Sequence, residues 1–230
     1  MDRLHAESLT VTVDDVHTVS GLLLAPERAR ACYVLAHGAG AGMFHPFMAA
    51  VARELGQRGI ATLRYQFPYM EQGAKRPDVP KLAQATVRAA VAQAARLMPA
   101  VPLVAGGKSF GGRMTSQAQA ASALPDVCGL AFLGFPLHPA GRLSDERAVH
   151  LFKVEVPMLF LQGTRDKLAD VALLQRLTER LGARASLQLF QDADHSFHVP
   201  VRAGRKDADV RREMMDTLAA WTFSVTSKRG

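Results

Sequence analysis

The run Gly107-Lys108-Ser109-Phe110-Gly111 sets a serine two residues from a glycine on each side, and Gly112 follows directly. This is G-x-S-x-G, the spacing that lets a hydroxyl stand clear of the backbone at a sharp strand-to-helix turn and attack a carbonyl. The glycines supply room where a Cβ would meet the turn or the helix after it. A helix N-terminus at that turn adds partial positive charge where an oxyanion develops. Such a serine needs a base, and the base needs an orienting carboxylate. Asp166, in Gly163-Thr164-Arg165-Asp166, and His195, in Asp194-His195-Ser196-Phe197, provide them in the order Ser…Asp…His. Asp145 or Glu146 are the alternative acids, His198 is the alternative base, and Asp166 also reads as an N-cap for a helix opening at Lys167. Backbone N–H donors for an oxyanion come from Phe110 and from the loop His37-Gly38-Ala39-Gly40, with Ala39 first and Gly40 second.

Two rival readings of the glycine runs fail on single residues. A phosphate-binding G-x-x-x-x-G-K-[ST] ending at Ser109 would need glycine at position 102, where Pro102 removes an N–H and fixes φ. A dinucleotide fingerprint starting at Gly38 would need glycine at position 43, which is Met43. His195 and His198 find no third zinc ligand at a recognisable spacing. No metal and no cofactor are expected.

The elements that must position these residues alternate along the chain. Strand-length apolar runs cover 31–36, 60–67, 101–106, 127–135, 156–162 and 185–190, separated by stretches at helical spacing. Before them, 8–13 and 16–25 read as an antiparallel pair at the sheet edge, joined at Asp14-Asp15. The predicted fold class is α/β: an eight-stranded, mostly parallel sheet with helices on both faces. Phe47, Val51 and Leu55 mark the first helix, and a second opens at Pro80 and stops before Pro99. Another follows the serine over 113–123, and a fourth runs 167–181 with Gly182 as its stop. The last starts near 207–209 and aligns Val210, Met214, Leu218 and Trp221. Ser109, Asp166 and His195 each follow a strand, so a parallel sheet gathers them at one edge.

Composition agrees with one domain spanning 1–230: 48% of residues are apolar and 21% charged. No apolar run approaches the roughly 20 residues of a membrane span. The opening Met1-Asp2-Arg3-Leu4-His5-Ala6-Glu7 lacks a signal-like apolar stretch, so a cytoplasmic protein is expected. Cys32 and Cys128 sit in apolar runs and read as buried free thiols. The net charge of +7 is scattered. Its densest groups are Arg202, Arg205 and Lys206, then Arg211 and Arg212, then Lys228 and Arg229. That is solvated surface with a mild pull on anionic substrates, not a nucleic-acid footprint. No nucleic-acid or membrane partner is expected, and nothing speaks to an oligomeric state.

At the residues quoted above, joined by Arg64-Tyr65-Gln66-Phe67-Pro68-Tyr69-Met70, the chain resembles the α/β-hydrolase superfamily over essentially its whole length. More narrowly it resembles small bacterial dienelactone-hydrolase-like proteins. The resemblance implies a serine hydrolase acting on a small ester or acyl compound, with ester, thioester and amide all open. A non-catalytic binding or scaffold protein on the same fold is the other reading. Dienelactone hydrolases proper use a cysteine nucleophile, whereas position 109 is serine, which argues against dienelactone as substrate. About 20 residues separate the strands ending at 135 and starting at 156, too few for a cap domain, so an open cleft is expected. Met43, Phe44, Phe47, Phe67, Tyr69, Met70 and Phe197 are candidates for its apolar, substrate-binding wall. Lys108, Arg113 and Arg142 are candidates to favour an anionic group.

Overall fold

The computed structural model describes residues 5–227, so the Lys228–Arg229 pair and the first four residues of the N-terminal segment lie outside the described residues. In chain order the elements are β1 (Ala6–Thr12), β2 (Thr18–Leu24), β3 (Ala31–Ala36), α1 (Pro46–Gly56), β4 (Ile60–Tyr65) and α2 (Pro68–Glu71). There follow α3 (Pro80–Leu97), β5 (Leu103–Lys108), α4 (Phe110–Ala121), β6 (Val127–Leu133), β7 (Met158–Gly163), α5 (Val171–Leu181), β8 (Ala185–Phe190) and α6 (Asp207–Thr226).

The eight strands form one sheet in the order β1-β2-β4-β3-β5-β6-β7-β8. β1 and β2 pair antiparallel, as do β2 and β4, and every other pairing is parallel. The expected mostly parallel sheet with an antiparallel N-terminal edge is therefore present. β3, β4, β6 and β7 are buried along their whole length, as strands covered on both faces must be. Alternate side chains of β3 feed two cores: Cys32, Val34 and Ala36 face α3 and α4, while Ala31, Tyr33 and Leu35 face α1 and α6. Cys32 and Cys128 are both buried free thiols. Among the described residues no helix is long and apolar enough to cross a membrane.

From β3 the chain steps outward to β4, then returns past β3 to β5 and proceeds the other way. The strand order thus reverses between β3 and β5, which opens a crevice beyond their C-terminal ends. Both glycine runs of the sequence lie there. The connection from β6 to β7 holds only a 3-10 turn, Glu146–Lys153, and no separate cap domain is present among the described residues.

Element ends differ from the sequence reading in ways that bear on the site. β5 extends to Lys108 and α4 begins at Phe110, so Ser109 alone makes the turn between them. α5 begins at Val171, not at 167, because Asp170 is its cap, accepting from the Leu173 N–H at 2.9 Å. α2 had no sequence counterpart. Pro68 ends the run that reads as strand to 67 and starts this single turn.

Candidate active site

The turn at Ser109 is built by close approach. Its φ is 49° and ψ −114°, a conformation costing a non-glycine residue about 1–3 kcal/mol. Neighbours hold it there. A Cβ on Gly107 would fall 2.2 Å from the Ala36 carbonyl oxygen, and one on Gly111 would fall 2.5 Å from that of His37. β3, β5 and the first turn of α4 therefore pack backbone to backbone, with the serine raised at their junction.

The Ser109 hydroxyl donates to His195 Nε2 at 2.8 Å, and His195 Nδ1 donates to Asp166 Oδ2 at 2.6 Å. The tautomer follows from the partners: a carboxylate only accepts, so Nδ1 carries the hydrogen and Nε2 offers its lone pair. Asp166 has a fully buried side chain, while the imidazole is partly exposed. Its Oδ2 also accepts from Gln162 Nε2 at 2.5 Å, and its Oδ1 from the Leu168 N–H at 2.8 Å. Gln162 is oriented in turn, since its Oε1 accepts from the Phe135 N–H at 2.9 Å. That glutamine went unnoticed in the sequence, where it reads as one more residue of an apolar strand.

The loop after β3 is held from below. His37 is buried, donating from Nδ1 to the Gly38 carbonyl at 2.8 Å and accepting at Nε2 from the Phe67 N–H at 3.0 Å. Burial pushes its pKa down to about 4, so it is neutral at neutral pH. Gln66 Oε1 accepts from the Met43 N–H at 2.8 Å, and the Arg64 guanidinium donates to the Met43 carbonyl at 3.0 Å. Ala39 lines the cleft beside Ser109. Gly40 does not line it, and its N–H points instead to the Tyr69 hydroxyl at 3.4 Å. Phe110 is the first residue of α4, where an N–H has no partner within the helix.

The cleft over Ser109 has a volume of about 210 Å³. Gly38, Ala39 and Ala41 form one side, His45, Phe47 and Met48 of the α1 entry another, and Lys108 and His195 flank the serine. Of the apolar walls read from the sequence, Phe47 lines it, and Met43, Phe44, Phe67, Tyr69, Met70 and Phe197 do not. Met43, Phe67, Tyr69 and Phe197 are at most 3% exposed, and Phe44 is 66% exposed. Phe67 and Phe110 meet edge to face at 5.2 Å, which fills the interior beneath the site. Phe197 stacks behind Phe47, with ring centroids 6.1 Å apart, and so backs the one phenylalanine that does face the cleft.

The alternative acids and base lie elsewhere. His198 pairs with Asp207 at 2.9 Å on the surface, Asp145 meets Arg180 at 3.4 Å, and Glu146 is exposed at the 3-10 turn. Asp166 does not cap a helix. Its contact with Leu168 closes a short turn three residues before α5. Of the three candidate cations only Lys108 lines the cleft, while Arg142 lines a separate pocket with His138 and Arg147.

A sequence profile described as an alpha/beta hydrolase domain matches residues 29–223. Among solved structures, a dienelactone hydrolase from Anabaena variabilis ATCC 29413 is 21% identical, with 97% of this chain and 99% of that one covered at a TM-score of 0.79. An α/β serine hydrolase without a lid from Xanthomonas campestris is 22% identical, covering 94% and 95% at a TM-score of 0.73. The esterase domain of a Rhodothermus marinus protein is 16% identical, covering 95% and 98% at a TM-score of 0.72. At these identities the likeness is one of fold.

Proposed function

The chain belongs to the alpha/beta hydrolase domain family, and on that premise we propose that it is a serine hydrolase cleaving a carboxylic ester or thioester. The observation that carries this reading is the unbroken hydrogen-bonded relay from Ser109 through His195 to Asp166, at 2.8 and 2.6 Å. In it Ser109 is the nucleophile, His195 the general base and then general acid, and Asp166 the orienting carboxylate.

As Ser109 Oγ attacks the substrate carbonyl, its proton passes to His195 Nε2. Asp166 stabilises the imidazolium, and the N–H groups of Phe110 and Ala39 receive the oxyanion. His195 then protonates the leaving alkoxide or thiolate, which leaves an acyl group on Ser109. Water, deprotonated by the same imidazole, attacks the acyl carbonyl, and the acid departs. No step calls for a metal or cofactor.

A cleft of about 210 Å³ is smaller than the 300–1,000 Å³ usual for drug-sized ligands, which favours a short acyl group or the end of a larger molecule. The apolar side chains of Phe47 and Met48 suit an aliphatic or small aromatic portion. The test is covalent labelling with a fluorophosphonate, run beside a chain-length series of nitrophenyl esters. Labelling at Ser109, abolished in Ser109→Ala, is the expected result. Labelling that survives the substitution overturns the assignment, and absence of both labelling and turnover favours a non-catalytic protein on the same fold.

A further inference from the structure

The residue before the candidate nucleophile is a lysine, and its side chain does not go to solvent. The Lys108 stem lines the cleft while the ammonium turns inward and donates to the backbone carbonyl of His195 at 2.5 Å. It also lies 5.4 Å from the centre of the Phe197 ring. Gly134 closes the far side, since a Cβ there would stand 3.0 Å from the ammonium and 3.5 Å from the His195 ring. Among the described residues no carboxylate forms an ion pair with it, and Asp166 and Asp194 act on it only through space. A buried ammonium without an ion pair is costly to maintain, so its one strong hydrogen bond calls for a purpose.

The loop that carries His195 explains that purpose. Asp192 and Phe197, on either side of the histidine, are non-glycine residues at φ 61° and 63°. The Asp194 carboxylate ties the loop to itself, accepting from the Ser196 and His198 N–H groups at 2.7 and 3.0 Å. Other ties run to β7 and its turn: the Arg165 N–H donates to the Ala193 carbonyl, and the Asp192 N–H to the Thr164 hydroxyl. These fix the loop relative to Asp166, not relative to Ser109. Lys108 is adjacent to the serine in sequence and bonded to the histidine's own carbonyl.

We propose that Lys108 is a positioning residue whose ammonium clamps the His195 loop to the end of β5 and so sets the Ser109–His195 distance. This rests on the reading of Ser109 and His195 as nucleophile and base. The clamp requires the charged form, because a neutral amine is a much weaker donor. Burial pushes the lysine down to about 8, opposed by Asp166 and Asp194, and the His195 ring borders the same Gly134 position. The clamp therefore loosens as pH rises through that value.

The experiment measures kcat and KM on one activated ester, and the fluorophosphonate labelling rate, from pH 6 to 10. It uses the wild type, Lys108→Met and Lys108→Arg, each checked for folding by its thermal transition. Loss of the clamp lowers kcat at pH 7 by about 10²-fold in Lys108→Met with KM little changed, the scale expected for a misplaced base. In the wild type kcat and labelling fall above about pH 8, and Lys108→Arg, whose guanidinium keeps its proton, carries activity past that point. A Lys108→Met kcat equal to wild type overturns the proposal, as does an alkaline fall that persists unshifted in Lys108→Arg. The labelling of wild-type Ser109 reports separately on the reading of function: without it both fail, and with it only the clamp is in question.

Discussion

Gln162 and His195 donate to one and the same oxygen of Asp166, at 2.5 and 2.6 Å. The glutamine is fully buried, and its other amide atom is anchored by the Phe135 N–H. The carboxylate is thus held by the end of β7 before the histidine reaches it. Gln162→Leu, of similar bulk, leaves the Phe135 N–H without its acceptor and one Asp166 lone pair unsatisfied. We expect a loss of about 1–3 kcal/mol, read as a fall in Tm of roughly 2–4 °C per kcal/mol for a chain of this size. Ester kcat should fall too, because the Asp166–His195 alignment slackens. An unchanged Tm together with unchanged kcat would show that the amide has no part in orienting the relay.

The backbone at Ser109 gives a second test, in which the usual order of two substitutions reverses. Glycine normally costs about 0.5–1 kcal/mol relative to alanine inside regular structure. At φ 49° and ψ −114° alanine keeps the strain and glycine relieves it. Ser109→Gly should therefore be more stable than Ser109→Ala by about 1 kcal/mol or more, and both should lower kcat at least about 10⁴-fold. Equal thermal transitions would mean that the turn is not strained.

His37 predicts an acid-labile fold. Burial pushes its pKa from 6.5 down to about 4, so between those values the unfolded chain takes up a proton that the folded chain refuses. Stability then falls as pH falls through the window, by roughly 3 kcal/mol at its lower end. Protonation would also fill Nε2, which accepts from the Phe67 N–H. Thermal transitions from pH 7 to 4.5 measure the slope. His37→Gln, which can still accept that N–H, should flatten it, and a slope that stays the same would remove His37 as its source.

Lys108 predicts a trend of the same sign at the other end of the scale. Its folded pKa of about 8 lies below the ordinary 10.5, so in between the unfolded chain binds the extra proton and stability from this group rises with pH. Lys108→Met removes an unpaired buried charge and should melt above the wild type at pH 7. That gap should narrow by pH 10, over the same range in which wild-type catalysis declines. A gap independent of pH would contradict the burial of the ammonium.

Much of this arrangement was legible in the chain. The alternation of strand and helix patterns, with a chemically capable residue after three of the strands, was enough for the sheet and for the grouping of Ser109, Asp166 and His195. Periodicity failed where the backbone is irregular. Residues 167–170 carry helix-like residues, yet Asp166 closes a turn there and Asp170 starts the helix. In the loop after β3 no period tells which side chain faces inward. Arg64 and Gln66 of the β4 end pull Met43 down into the interior, which turns Phe44 out and leaves the cleft to Phe47 one residue into α1. Gln162 and the Lys108 ammonium were hidden for another reason: Gln162 is oriented by Phe135 and Lys108 bonds the His195 carbonyl, partners more than 20 residues away in sequence, which spacing alone does not reveal.

The short link between β6 and β7 bears on how an acylated Ser109 would be discharged. With no flap among the described residues, solvent would meet the acyl carbonyl of the proposed intermediate directly, and release of the acid would await no slow opening motion. The same exposure admits any small alcohol or amine in solution. How such an intermediate divides between hydrolysis and transfer would then be governed by the concentrations of competing nucleophiles outside the protein, with no gate to choose among them.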